Sequence, residues 1–171
     1  RGTAAGVPIP ADPEPVPWGR GELLADGKDI LLLAIGATVA TSLSAAEELR
    51  KRGISAAVVD ARFVKPMDAS LIVPLVQRVG RVLTVEENVL AGGFGSAVLE
   101  MLEEHDVRPQ GFHRIGVRDT FVEHGSQAEL REAYGLSDDS VIAEAARLFA
   151  QGWHLLPSIF SGIRSRIEKI V

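Results

Sequence analysis

Two consecutive carboxylates, Glu86 and Glu87, stand just before a glycine turn, Gly92-Gly93-Phe94-Gly95, in the stretch TVEENVLAGGFGSAVLEML at 84–102. A carboxylate pair can run general acid–base chemistry, and a glycine turn that opens a helix can hold an anion on free backbone N–H groups. Consecutive residues on a strand point to opposite faces, so Glu86 and Glu87 cannot act on one substrate together, and at most one faces a cleft. The turn carries neither G-x-G-x-x-G nor G-x-x-x-x-G-K-[ST]. Gly92, Gly93 and Gly95 therefore keep two roles open: a contact in a cleft or interface through exposed backbone, or positive φ and close strand–helix packing. His124, in DTFVEHGSQ, follows a strand end and precedes a helix, a place where α/β sheets commonly bind ligands, and it joins the glycines as an interface or cleft candidate. His105, His113 and His154 show no metal-ligand spacing. Ser96 and Ser126 open helices without a G-x-S-x-G elbow, which argues against a hydrolase triad. No catalytic residue and no metal ligand is assigned from these residues.

The elements that must position these groups alternate. DILLLAI at 29–35 is short and continuously apolar, as a strand covered on both faces should be. Thr38 then caps a helix in which Val39, Leu43, Ala46 and Leu49 recur at helical spacing, and Gly53 stops it. SAAVVDA at 55–61 is a second strand; Pro66 starts a second helix, with Leu71, Leu75 and Val79 on one face. RVLTVEE at 81–87 is a third strand, Ala97, Val98, Met101 and Leu102 mark a third helix, and FHRIGVR at 112–118 is a fourth strand. Residues 126–150 give one or two closing helices, with Ser126 or Ser137 as caps and Gly135 between them, and WGRGELL at 18–24 adds an edge strand. This order predicts an α/β fold with an open, mostly parallel sheet and helices on both faces.

Residues 1–17 hold five prolines and form an extended arm or linker, leaving 18–150 as the domain. In the tail, 151–171, Phe160, Ile163, Ile167 and Ile170 recur at helical spacing among Arg164, Arg166 and Lys169. Such an amphipathic helix packs on this domain or a partner subunit, with a membrane surface as the alternative. A net charge of −5 gives no general attraction to nucleic acid or anionic lipid. Without cysteine there is no disulfide, thiolate nucleophile or cysteine-ligated metal, which suits a cytoplasmic protein. The chain opens on Arg1-Gly2 with no initiator Met and reads as a piece of something longer.

Four phrases, taken in order, give a more specific indication: RGTAAGV at 1–7, DARFVKPMD at 60–68, TVEENVLAGGFGSAVLE at 84–100 and DTFVEHGSQAELREAYGLS at 119–137. Together they resemble the C-terminal domain of the 1-deoxy-D-xylulose-5-phosphate synthases, thiamine-diphosphate enzymes of the transketolase superfamily. The resemblance covers about residues 1–150 and stops where QGWHLLPSIF begins. It implies a three-domain, homodimeric enzyme, cytoplasmic or plastidic, that joins pyruvate to D-glyceraldehyde 3-phosphate with loss of carbon dioxide, on the route to isoprenoid precursors and thiamine. Thiamine diphosphate and Mg2+ would be held by the two preceding domains, since the G-D-G cofactor motif is missing here; no cofactor is expected on this piece, which alone is non-catalytic. Arg1 with Gly2 looks like the end of the family's P-R-G phrase, whose arginine binds the substrate phosphate, a task suited to a planar guanidinium fork. On this resemblance the glycine stretch is a structural passage and its carboxylates are not catalytic. The partners implied are the preceding domains and a second subunit, with no nucleic acid and no membrane. Two alternatives stay open: the corresponding domain of transketolase proper or of the β subunit of a decarboxylating 2-oxo acid dehydrogenase component, and a free-standing binding or regulatory module with an anion site at 92–95.

Overall fold

The computed structural model describes residues 11–12 and 14–151. Its elements follow the order β1 (Glu22–Ala25), β2 (Ile30–Ala34), α1 (Thr38–Lys51), β3 (Ala56–Asp60), α2 (Ala69–Val79), β4 (Arg81–Val89), α3 (Phe94–Glu104), β5 (Gly111–Val117), α4 (Gln127–Ala133) and α5 (Asp138–Gln151). Five strands form one sheet in the order β1-β3-β2-β4-β5. All neighbours are parallel except β1, which runs antiparallel to β3. This is the open, mostly parallel sheet that the alternation predicts.

Every residue of β2 is buried, because the strand is central and both its faces are covered. Alternation along the strands sorts the core into two layers. Ile30, Leu32, Leu83 and Val85 face α1 and α5, against Ala45, Leu49, Val141 and Ala145. Leu31, Leu33 and Val82 face α2 and α3, against Ile72, Val76, Phe94 and Val98. Helices therefore cover both faces. Because β3 and β4 lie on opposite sides of β2, the strand order reverses between β2 and β4, and loops at the C-terminal ends of the strands meet there.

Three local expectations are corrected. Thr38 is the first helical residue and not the cap; Ala37 holds the N-cap position without a side-chain bond. The Thr38 hydroxyl instead donates to the carbonyls of Val85 (2.7 Å) and Ile35 (3.0 Å), tying the start of α1 to β4 across the strand-order reversal. Pro66 does not start α2: the helix begins at Ala69, where the Asp68 carboxylate accepts from the Leu71 N–H at 3.2 Å. A side-chain acceptor satisfies a free helical N–H, which proline cannot do. The edge strand is shorter than 18–24, since Arg20 turns back on Pro17 before pairing begins at Glu22. At the other end both serines serve: Ser126 caps α4, and the Ser137 hydroxyl accepts from the Ser140 N–H at the head of α5. Residues 1–10, 13 and 152–171, which include Arg1 and the amphipathic tail, lie outside the described residues.

Asp68 also holds the chain that enters β1, accepting from the Gly21 N–H (3.2 Å), Arg20 and Ser70. Burial pushes its carboxyl up, but the hydrogen bonds from Ser70, Gly21 and Leu71 and the charge of Arg20 outweigh that and hold it below the ordinary aspartate value of 3.8. A lowered native pKa stabilises the fold above the unfolded value, and the benefit is lost as pH falls through the native one. Asp68→Ala is expected to cost about 1–2 kcal/mol at pH 7. In urea melts the gap to the wild type should narrow below pH 4; a gap of constant size down to pH 3 would reject this role.

Candidate functional site

The glycine turn sits at the C-terminal end of β4, beside the strand-order reversal. Val82, Thr84 and Glu86 share the face that α2 and α3 cover, while Glu87 points to the opposite face and accepts from Arg131 of α4 at 2.8 and 2.9 Å. Glu86 is fully buried. Its carboxylate oxygens accept from the backbone N–H groups of Phe94 (2.6 Å) and Gly95 (2.8 Å), at the head of α3. Those are the unpaired donors, at the positive end of the helix dipole, that an incoming anion would use. The site that could bind a phosphate is thus filled by a carboxylate from the preceding strand.

The three glycines have different tasks. Gly92 has φ +72° with open space around it. Gly93 has ordinary φ, but a Cβ there would run into the Val89 carbonyl and the Glu86 carboxylate. At Gly95 a Cβ would stand 2.6 Å from the Thr84 hydroxyl and 2.7 Å from Cδ of Arg114. Ser96 ties the turn together: its hydroxyl donates to the Leu90 carbonyl (2.9 Å) and accepts from the Gly92 N–H (3.2 Å) and the Arg114 guanidinium (2.9 Å). Arg114 donates also to the Leu90 carbonyl at 2.9 Å. Its place here is a residue that sequence reasoning missed. Strand parity in β5 puts Arg114 on the face of Phe112 and Gly116, but it does not name its partners, Leu90 and Ser96.

The structure does not bring the other candidates into this cluster. His124 is exposed on the loop between β5 and α4, at the same end of the sheet. His105 contacts the Met101 carbonyl at 2.8 Å, and His113 meets Glu144 of α5 at 3.1 Å, on the opposite face of the sheet from α3. Ser126 accepts from the Glu129 N–H in a complete capping box. Among the described residues no group of three or more His, Asp or Glu could hold a metal ion. With the head of α3 also occupied by Glu86, the described residues do not fit a thiamine diphosphate–metal site.

An α/β sheet of this order, with an antiparallel edge strand and a carboxylate-filled glycine turn, defines a domain class. Residues 19–141 match the family model described as "Transketolase, C-terminal domain", and the chain belongs to that family. It is similar to 1-deoxy-D-xylulose-5-phosphate synthases: 51% identical over 148 residues to that of Heliobacterium modesticaldum and 44% identical over 152 residues to that of Syntrophus aciditrophicus. These alignments take in 86% and 89% of this chain but 23% of each relative, so the chain spans under a quarter of the length of the curated relatives it matches. Among solved structures it is similar to a "Split gene transketolase, inactive beta4 tetramer", with 39% identity and a TM-score of 0.71, covering 77% of this chain and 43% of that one. A transketolase mutant from Pichia stipitis, at 20% identity and a TM-score of 0.54 over 77% of this chain and 18% of that one, shares the fold.

Proposed function

We propose that this chain is the C-terminal domain of a 1-deoxy-D-xylulose-5-phosphate synthase and has no catalysis of its own. The observation that carries this is the similarity of up to 51% identity across most of the chain to enzymes of which it spans only 23%. The whole enzyme joins pyruvate to D-glyceraldehyde 3-phosphate, releases carbon dioxide, and uses thiamine diphosphate and Mg2+ bound by its other domains. It works as a homodimer in the cytoplasm, or in a plastid if the source is a plant or alga. This domain completes the subunit and the dimer, and Arg1 contributes to the site of the triose phosphate. Glu86 supports the non-catalytic role, because both its oxygens are engaged with α3 and it is closed to solvent. The same contact weighs against a free-standing anion-binding module at 92–95.

The test is pyruvate decarboxylation coupled to 1-deoxy-D-xylulose 5-phosphate formation, with thiamine diphosphate and Mg2+ supplied. The complete polypeptide is expected to turn over and the 171-residue chain to give the background rate. Turnover by the chain alone would overturn the non-catalytic role, and a complete polypeptide that accepts ketose donors but not pyruvate would move the assignment to transketolase proper.

A further inference from the structure

The segment between β5 and α5 is oddly exposed for chain that carries apolar residues. Residues 118–129 are exposed without interruption. Within them Phe121 is 99% exposed, and both Val122 and nearby Val89, at the end of β4, are 41% exposed. Helix α4 buries no residue. A seven-residue helix has little stability of its own in water. This one is nonetheless held in shape by its capping box, by Arg131 on Glu87, and by the Tyr134 hydroxyl donating to the Phe121 carbonyl at 3.4 Å. A loop so shaped, with its largest apolar side chain in water, has the form of a surface that another surface covers.

The same end of the sheet receives the incoming chain. β1 is antiparallel to β3, and its first residue, Glu22, pairs with Asp60, the last residue of β3. Residues 14–21 therefore enter β1 beside the C-terminal end of β3. There Trp18, 76% exposed, tilts its ring against Phe63 with centroids 5.2 Å apart, and Val16 is exposed beside it in sequence. Two apolar exposures thus lie at one end of the sheet, Trp18 on the side of β1 and Phe121 on the side of β5, and polypeptide joined to the arm is tethered near that end. Tethering gives a neighbouring domain a high effective concentration there without any new contact. The charges around Phe121 are mixed, with Arg118, Asp119, Glu123 and the Glu87–Arg131 pair, which does not favour a polyanion or an anionic lipid surface.

We propose that this end of the sheet, with Phe121, Val122 and Val89 on the β4–β5 side and Trp18 on the β1–β3 side, is the docking face for the polypeptide that precedes this domain. Docking buries Phe121 and secures α4. The proposal rests on the chain being one domain of a longer enzyme, and it assigns the face by which that domain is held.

Amide hydrogen exchange compared between the 171-residue chain and the complete polypeptide encoded with it tests the assignment. Amides at 118–130 are expected to exchange at least tenfold more slowly in the complete polypeptide, while those of β2 and β4 change little. Phe121→Ser should abolish that added protection, and Leu99→Ser, an exposed apolar residue on α3, should leave it intact. Equal exchange in the two lengths would overturn the proposal. So would protection that appears in the 171-residue chain and grows with its concentration, since a second copy would then be the occupant. Turnover by the complete polypeptide separates the two claims: turnover without added protection defeats the docking face alone, and protection without turnover defeats the enzymatic assignment alone.

Discussion

Replacing Glu86 with alanine is expected to lower the unfolding free energy by about 3–6 kcal/mol, because hydrogen bonds to a charged acceptor contribute about 1.5–3 kcal/mol each and there are two of them. Among the described residues no other side chain accepts from the Phe94 and Gly95 N–H groups, so removing the carboxylate leaves both donors without their acceptor. Glu86→Gln should cost about half as much, since the amide keeps one acceptor oxygen but turns N–H groups toward the second donor. It also gives up the attraction between a negative charge and the helix N-terminus, about 0.3–1 kcal/mol at an exposed site and more where burial limits screening. Urea melts of the wild-type, Ala and Gln chains would show the order. Formate adds an independent readout, because the cavity left in the Ala variant exposes an anion site of the kind helix N-termini provide. Millimolar formate should recover part of the lost stability in that variant and none in the wild type. A loss under 1 kcal/mol for Glu86→Ala, with no formate effect, would mean that the contact at the head of α3 contributes little.

The role of Glu86 was only half legible in the sequence, for a physical reason. Strand parity alone separates Glu86 from Glu87. Choosing which one turns inward needs a contrast between an apolar and a polar face, and β4 offers none: Val82, Thr84, Glu86 and Leu83, Val85, Glu87 each run from apolar to acidic. Both faces of a central parallel strand are covered, so the usual alternation signal is absent. The continuous apolar runs that became β2 and β3 were readable for the same reason, as burial on both sides leaves little room for polar residues. Helix starts were less readable. Pro66 is a common signal for a first turn, yet the acceptor Asp68 sets the start, and its bond to Gly21 spans 47 residues. Helix α4 shows no hydrophobic periodicity because it buries nothing. The capping pair Ser126 and Glu129 was its only sequence signature. Arg114 escaped notice because its partners, Leu90 and Ser96, come from a loop and a helix 24 and 18 residues away, distances at which spacing carries no signal.

Gly92, Gly93 and Gly95 look interchangeable in the sequence, yet alanine at each should have a different cost. At Gly92 the backbone is left-handed and the space open, so the cost is that of a positive φ, about 1–2 kcal/mol. At Gly95 the obstructing groups are the Thr84 hydroxyl and the Arg114 side chain. The arginine can shift by rotating, which holds the overpacking cost near 1–3 kcal/mol. At Gly93 one obstruction is the Val89 carbonyl, part of the backbone paired with β5, and the other is the Glu86 carboxylate. Neither can move without breaking strand pairing or the contact at the head of α3, so Gly93→Ala should cost about 3–4 kcal/mol or prevent folding. The order 93 over 95 over 92 is what thermal or urea melts should return. Because Glu86 is one of the two obstructions, Gly93→Ala should cost about 1 kcal/mol less in a Glu86→Ala background than in the wild type, a coupling of the size expected for residues in contact. The remaining cost in that background isolates the Val89 carbonyl. If Gly92→Ala were instead the most damaging of the three, glycine would be required here for its backbone angle, and the close approach of β4 to α3 would not be what fixes the turn.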